Sequence, residues 1–257
     1  MTRIATRTKF HSSRLIRTLA ELAVLEPVAS TGNFAERLSL WIDFSDAIAL
    51  CSVHNAGNAD TSALPSASPP QECKSVEEYL SKTRLTLERA ITVGGIPNGA
   101  GTRPQLPTLT PGTSIEDAIA FEPYRRYHLA QQRDMELNIR PLRVRVRSVV
   151  GTASPRLRQL VALDASMDTI LCERESHLLS SIPSLLKVRF LQLLTAYQHA
   201  RANHQPVDSP HEWVQPGGWL ARFRTELQTV LLAELDLRLQ PTVGLLEAFH
   251  NEKTQPL

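Results

Sequence analysis

Glycine, cysteine and aromatic residues are all scarce in this sequence of 257 residues, which contains 11 glycines, 3 cysteines and 5% aromatic residues. Five of the glycines fall between Gly94 and Gly112, and Gly151 is the single glycine between Thr113 and Gln215. Leucine, in contrast, occurs 37 times, against 26 for valine and isoleucine together. Long leucine-rich tracts without glycine favour helix, so the composition argues against an all-β chain and against a Rossmann-type chain.

Charge of one sign and long hydrophobic runs are also missing. The formal net charge is +2, which argues against an acidic chaperone-like tail and against a protein coated in basic charge. No stretch of about 18 apolar residues occurs, so no membrane-spanning helix is expected. Cys51, Cys73 and Cys172 are odd in number and far apart, which is typical of reduced thiols, and we expect a cytoplasmic protein. An arginine-rich transit peptide at the amino terminus is the alternative left open.

Proline, glycine and serine clusters divide the chain into four parts. We predict an N-terminal helical pair in 1–56, a flexible segment in 57–113, a long-helix bundle in 114–250 and a tail in 251–257. Within the flexible segment, Ser75 and Glu78 form a capping-box pattern, in which each side chain bonds the backbone amide of the other. This pattern predicts one tethered helix over about 75–93, which Gly94 and Gly95 end. The helix could either dock onto the core or be offered to a partner.

Apolar spacing predicts two helices at the amino terminus. Ser12 or Ser13 can cap the first, whose apolar positions share one face: Leu15, Ile16, Leu19, Leu22 and Ala23. Asn33 can cap the second, which we predict to run from Phe34 to about His54. The residues predicted to be buried in the second helix are Leu38, Trp41, Ile48 and Cys51.

Four long helical stretches are predicted from Ser114 onward, separated at three points, 152–155, 181–184 and 204–218. Ser154, followed by Pro155 in the first turn, and Ser184 are good helix starts. The apolar positions of these stretches repeat about every 3.5 residues, the packing seam of an antiparallel bundle or coiled coil. The seam positions are Met135, Ile139, Leu142, Val146 and Val149 in the first stretch, Leu160, Leu163, Met167, Leu171, Arg174 and Leu178 in the second, and Leu220, Phe223, Leu227, Val230, Leu231 and Leu235 in the last. The predicted fold is therefore all-α, a long-helix antiparallel bundle or coiled-coil-like arrangement with flexible linkers.

One local pattern conflicts with this fold. Residues 142–147 alternate apolar and basic side chains with period two, which taken alone predicts a strand. No second alternating segment offers a pairing partner, and the wider window has the helical period, so we predict a helix. Pro141 lacks a backbone N–H, and a kink or break of the helix is expected near it.

The strongest candidate for a binding site is a basic run. No acidic residue occurs between Leu137 and Leu163, and the run contains six arginines: Arg140, Arg143, Arg145, Arg147, Arg156 and Arg158. The planar guanidinium favours bidentate pairing with carboxylate or phosphate, so these residues could bind an acidic helix or a nucleic acid. The alternative, which the near-neutral total charge favours, is internal pairing with acidic residues of the following helix: Asp164, Asp168, Glu173 and Glu175.

Signals for catalysis or for a metal or cofactor site are weak throughout. His199, His204 and His211 lie near Asp208 and Glu212, but their spacing does not match a zinc site, and we expect exposed loop histidines. The cysteines and the tryptophans Trp41, Trp213 and Trp219 are interpreted as core residues, and Asp43 and Asp46, near His54, as residues at a helix rim. Residues 94–101 lack the lysine of a phosphate-binding loop. We therefore predict no catalytic, cofactor or metal site.

Three segments carry a resemblance to a known family. They are HSSRLIRTLAELAVLEP with FAERLSLWIDFSDAIAL within 11–50, YRRYHLAQQRDMELNIRPLRVRVR over 124–147, and LLAELDLRLQPTVGLLEAF over 231–249. Together they resemble the bacterial family DUF3348, a domain of unknown function, and the likeness extends over the chain apart from the linkers. The resemblance implies no activity, cofactor or catalytic residue. As partners it suggests envelope-associated proteins of the peptidoglycan-binding type.

These patterns predict a helical interaction or scaffold protein without enzymatic activity, which docks a helix face onto a protein partner. The docking face would be the tethered helix 75–93 or the arginine run, and a homo-oligomer is left open. Two alternatives remain, nucleic-acid binding through the arginine-rich helix 140–158 and a hydrolase or metal enzyme using the loop around 204–213.

Overall fold

The computed structural model describes residues 13–22, 40–59, 70–93, 105–109, 114–202 and 210–254. Within these ranges every regular element is a helix and no strand is present, which confirms the all-α prediction. No helix in them has the length and hydropathy needed to cross a membrane. The helices are α1 (Arg14–Glu21), α2 (Phe44–Ala59), α3 (Pro70–Thr92), α4 (Ile115–Ala118), α5 (Glu122–Gly151), α6 (Pro155–Ser180), α7 (Ile182–Ala202), α8 (Pro210–Trp213) and α9 (Trp219–Thr254).

Helices α5 and α9 form the centre of the bundle. Helix α9 packs against α1, α3, α5, α6 and α7, and α5 packs against α3, α6 and α7 as well. The predicted seam of α9 is confirmed, because all six of its positions are buried. The seam of α5 is confirmed at four positions, Met135, Ile139, Leu142 and Val146, while Val149 is half-buried.

The seam predicted for α6 is wrong. Its buried residues are Leu157 and Leu179, neither of which belongs to the predicted seam. Of the seam residues, Leu178 is 55% exposed and Arg174 is exposed as well. The reason is position, because α6 lies between α5 on one side and α2 on another, so residues 161–168 are half-buried all around the helix.

Helix α1 begins where the sequence predicts. The Ser13 side chain accepts a hydrogen bond from the Ile16 backbone N–H at 3.3 Å, and Leu15, Leu19 and Leu22 are buried against the core. Ile16, predicted on the same face, is 49% exposed. Helix α1 packs on α9, whereas α2 packs on α6, so the two helices of segment 1–56 rest on different parts of the bundle.

Helix α3 starts earlier than the capping-box pattern predicts. It begins at Pro70, a residue that the first turn of a helix tolerates, so Ser75 lies inside the helix and the predicted start is wrong. The helix packs antiparallel on α5: the Tyr127 hydroxyl donates to the Ile91 carbonyl at 3.2 Å, and the Arg145 guanidinium donates to Ser75 Oγ at 3.0 Å at the other end. The helix predicted as tethered is therefore docked on the core.

The remaining helix boundaries lie close to the predicted positions. Of the kink or break predicted near Pro141, the break does not occur, because α5 continues through this residue, and residues 142–147 are helical as expected. Ser154 caps α6 by accepting from the Leu157 backbone N–H at 3.1 Å. Helix α7 begins at Ile182, two residues before the predicted start at Ser184. Gly217 has φ 92° in the turn before α9, a conformation that glycine adopts without steric cost.

Candidate interaction surface

Helix α2 begins at a pair of aspartates. The Asp43 backbone N–H donates to Asp46 Oδ2 at 3.2 Å, and the Asp46 backbone N–H donates to Asp43 Oδ1 at 2.7 Å. This reciprocal arrangement has the logic of a capping box and places acidic charge at the positive end of the helix dipole. Residues 40–43 form a turn rather than helix, so the prediction of one helix through 34–54 is wrong there, and 31–39 lie outside the described residues.

The start of α2 exposes an apolar surface, which we call the α2 patch and which consists of Leu40, Trp41, Phe44 and Ile48. These side chains are 78%, 38%, 82% and 54% exposed, respectively. Trp41 and Ile48 were predicted to be buried, as was Cys51, which is also exposed, so these predictions are wrong. Clustered apolar side chains at a surface mark sites where proteins associate.

The other side of α2 rests on α6. The Gln159 side-chain amide donates to the His54 carbonyl at 2.9 Å, which joins the last third of α2 to the first turns of α6. Most of α2 precedes His54, whereas most of α6 follows Gln159, so the extensive contact between the two helices indicates that α2 runs antiparallel to α6. Ala47, Leu50 and Val53 are half-buried on this side, so none of the described side chains of α2 is fully covered.

Two of the six arginines in the basic run are paired within the molecule. Arg143 is paired with Asp168, and Arg147 binds Asp164 at 2.6 Å and Asp168 at 3.0 Å. These side chains are 14% to 31% exposed, so the network fastens α5 to α6. The sequence correctly offered this internal pairing as the alternative to a binding site for these two residues.

The other four arginines have no ion pair with any residue that the structure describes. Arg145 donates to Ser75 and lies over the Tyr79 ring, 5.1 Å from its centroid. The three remaining residues are exposed: Arg140, Arg156 and Arg158. Two of the acidic residues expected to pair with the run, Glu173 and Glu175, also have no ion pair among the described residues; Glu173 is exposed and Glu175 is half-buried.

The histidine loop is only partly described. His199 lies on α7 and His211 on α8, and both are exposed, while His204 and Asp208 lie outside the described residues. No group of three or more histidine, cysteine, aspartate or glutamate side chains that could hold a metal is found in the described part of the chain.

The tryptophans and cysteines divide between core and surface. Trp213 and Trp219 are buried, as predicted, and the Trp213 indole N–H donates to the Tyr197 hydroxyl at 3.0 Å. Cys51 and Cys172 are exposed free thiols, so the prediction that they are core residues is wrong. Trp41 is thus the tryptophan whose side chain is exposed to solvent.

A buried polar cluster joins α5, α6 and α9. The Gln132 amide donates to the Leu179 carbonyl and to the Glu234 carboxylate. Arg238 also binds this carboxylate, at a distance of 2.9 Å. Burial raises the pKa of Glu234, while Arg238 and Gln132 oppose that effect. The sequence analysis did not single out Glu234, although one acidic residue inside the apolar seam of α9 was a readable signal.

His128 lies beside this cluster and is fully buried. Its Nε2 atom is 3.7 Å from Glu234, and neither ring nitrogen has a hydrogen-bond partner in the described part of the chain. Burial lowers the pKa of His128 to about 3, with the positive charge of Arg238 acting in the same direction. The imidazole is therefore neutral at pH 7, and it lies buried in the core.

The geometry defines a class of protein, an all-α bundle with an apolar helix face at its surface. The chain belongs to the family described as Protein of unknown function (DUF3348), whose model matches residues 1–251. This match confirms the resemblance seen in the sequence. No curated protein and no solved structure matches the chain.

Proposed function

We propose that this chain is a helical interaction or scaffold protein without enzymatic activity, which binds a protein partner by docking the outer face of α2. The observation that carries the proposal is the α2 patch, on a helix that makes its extended contact with α6. Outer helices of a bundle normally present charged side chains to water. No lysine, arginine or glutamate occurs from Leu38 to Gln71, and Asp46 in the first turn is the one acidic residue of α2.

A partner that covers the α2 patch removes its apolar side chains from water, and this burial stabilises the complex. Fully burying a leucine, isoleucine or phenylalanine side chain stabilises by roughly 1.5–3 kcal/mol, and Leu40 and Phe44 are about four-fifths exposed. Two or three such residues supply a major part of the energy of many interfaces.

The buried polar groups support the same proposal. Glu234 is bound by Gln132 and Arg238, and its neighbour His128 is neutral in the core, so these groups serve packing between helices. Nucleic-acid binding is less well supported than the sequence alone allowed, because Arg143 and Arg147 are committed to Asp164 and Asp168.

Site-specific photo-crosslinking in the cells that make the chain tests the proposal. A photoreactive residue replaces Ser45, exposed beside Phe44, or, as a control, Ser81, exposed on α3. We expect a discrete protein adduct from position 45 that is absent from position 81. The Ile48→Glu variant should lose the adduct, while Leu137→Glu, at a site 65% exposed on α5, should keep it. Absence of a discrete adduct from position 45 would contradict the proposal.

A further inference from the structure

We propose that the partner seated on the α2 patch is a second copy of this chain, with the two copies related by a two-fold axis. The inference rests on the proposed function and adds the identity of the occupant. The surface concerned is the α2–α6 layer, which consists of α2, the turn 40–43 that precedes it, and the face of α6 on the same side. A two-fold axis brings the same surface of both subunits together, so this layer must match itself.

The apolar part of the layer meets this requirement. Phe44, Ile48 and Cys51 are exposed at intervals of four and three residues, so they form a stripe along one side of α2. Leu40 and Trp41 extend the stripe beyond the start of the helix. Two such stripes facing each other cover apolar surface with apolar surface, as in the seam between paired helices.

The charges of the layer are separated toward its two ends. Because α2 runs antiparallel to α6, Asp43 and Asp46 lie toward the end of α6 that carries Glu173 and Glu175, with Arg174 as the one basic residue among them. The opposite end, where Gln159 contacts His54, carries Arg156 and Arg158 and has no acidic residue on α6 before Asp164. One end of the layer is therefore acidic and the other basic.

Helical period places the key charges on the two flanks of the side of α6 that faces α2. With 3.6 residues per turn, Arg156, three residues before Gln159, lies about 60° to one side of Gln159, and Glu173, fourteen residues after it, lies about 40° to the other side. Both residues are exposed and unpaired among the described residues. The side of α6 next to α2 thus presents a basic residue at one end and an acidic residue at the other.

This separation of charge selects both the partner and its orientation. When two copies face each other antiparallel, the acidic end of each layer lies over the basic end of the other. A parallel arrangement would place like charges together, which is unfavourable. The layer is therefore complementary to itself in apolar character and in charge. A second copy of the chain provides both a matching apolar stripe and ends of opposite charge.

Sedimentation equilibrium of the full chain at low salt tests the inference. We expect the wild type to dimerise and Ile48→Glu to weaken the dimer by about tenfold or more, in line with the cost of truncating or charging an interface anchor. Leu137→Glu, which also adds a carboxylate at an exposed apolar site, should leave the dimer unchanged. Circular dichroism would establish that each variant keeps its helices.

Charge exchange tests the antiparallel arrangement. Arg156→Glu alone and Glu173→Arg alone should each weaken the dimer by about threefold or more at low salt, because each places two like charges across the interface. An equimolar mixture of the two single variants should regain wild-type association, because each partner then supplies the charge that the other lacks. A mixture that associates no better than either variant alone would overturn the antiparallel arrangement.

The outcomes separate this inference from the proposed function. If the wild type remains monomeric, and the photo-adduct from position 45 contains a different protein, the second copy is excluded while docking through α2 stands. If position 45 gives no adduct at all, docking through α2 fails as well. An adduct with twice the mass of the chain, lost in Ile48→Glu, supports both.

Discussion

Single residues show where periodicity is a sufficient guide and where it is not. The six seam positions of α9 are buried because that helix has neighbours on several sides, so an apolar residue on its seam meets another helix. Trp41 and Ile48 follow an apolar pattern as well, yet they are exposed. The pattern identifies which face is apolar, but it contains no information on whether the same chain covers that face.

Burial therefore predicts the cost of truncation better than sequence spacing does. Leu235 is 1% exposed and Leu178 is 55% exposed, although both are seam positions in the sequence. Leu235→Ala should lower the free energy of unfolding by about 2–5 kcal/mol, and Leu178→Ala should change it by less than about 0.5 kcal/mol in the monomer. Chemical denaturation of both variants measures the difference, and equal losses would contradict the assignment of core and surface.

His128 gives the core a dependence on pH. The folded chain keeps this imidazole neutral because its pKa is lowered from 6.5 to about 3, whereas the unfolded chain takes up the proton below pH 6.5. The unfolded state then binds more protons, so the stability linked to His128 is complete above pH 6.5 and is lost as the pH falls from 6.5 toward 3. Glu234, whose pKa burial raises, acts in the opposite direction.

Comparison with His128→Gln separates the pH dependence of stability that His128 contributes from the part that Glu234 contributes. Between pH 7 and pH 5 the wild type should lose about 2 kcal/mol of unfolding free energy relative to His128→Gln, since one pKa unit corresponds to about 1.4 kcal/mol. Urea denaturation at a series of pH values measures this difference. His199→Gln, on the exposed side of α7, serves as the control and should follow the wild type. Parallel curves for wild type and His128→Gln would show that His128 is not held neutral.

At the scale of elements, local signals placed most helices, but packing decided where several of them begin. Ser13 and Ser154 cap helices as predicted because each directly precedes a helix start. Ser75 has the same pattern with Glu78, yet α3 has already begun at Pro70. A capping box can sit inside a longer helix when α5 and α9 supply the packing that extends it.

The aspartate pair at the start of α2 predicts a local effect. Asp43→Ala removes the acceptor of the Asp46 backbone N–H, and loss of an N-cap costs about 1 kcal/mol. Because α2 is an outer helix, we expect faster amide hydrogen exchange across α2 and unchanged exchange in α5 and α9. Mass spectrometry of the exchanged peptides measures this effect. Ser45→Ala, one helical position away from the pair, is the matched control, and an equal acceleration in that variant would contradict the role of the cap.

The arginine network predicts a contrast between two residues of the same run. Arg147 binds Asp164 and Asp168 and is 16% exposed, while Arg156 is exposed without an ion pair among the described residues. Arg147→Met should lower the unfolding free energy by about 1–2 kcal/mol, between the values for exposed and buried pairs. Arg156→Met should stay within about 0.5 kcal/mol of the wild type in the monomer. Thermal denaturation at a protein concentration low enough to keep the chain monomeric compares the two variants. Similar losses of unfolding free energy would contradict the assignment of Arg147 as paired and Arg156 as unpaired.

At the scale of the whole molecule, the fold class could be predicted but the arrangement could not. Leucine-rich helices with few glycines predict a bundle, yet α5 and α9 meet across about a hundred residues of sequence, and no local pattern contains that pairing. Contacts such as Gln132 with Glu234 come from the packing of distant helices, which spacing within one helix does not encode.

The candidate site was hidden from the sequence for the same reason. The absence of lysine, arginine and glutamate around α2 fits a buried core helix as well as it fits an interface helix. Only its position outside α6 separates the two. The arginine run, which stood out more strongly in the sequence, proved to be divided between internal pairing and isolated surface positions.

The accessibility of Trp41 as a function of protein concentration shows directly whether a second copy covers the outer face of α2. Trp213 and Trp219 are 2% and 6% exposed, while Trp41 is 38% exposed and lies in the α2 patch, so acrylamide quenching reports mainly on Trp41. We expect that quenching falls and the emission shifts to shorter wavelength as the concentration of the wild type rises, and that Ile48→Glu shows neither change. Quenching of the wild type that is independent of concentration, and equal to that of Ile48→Glu, would contradict the claim that a second copy covers the outer face of α2.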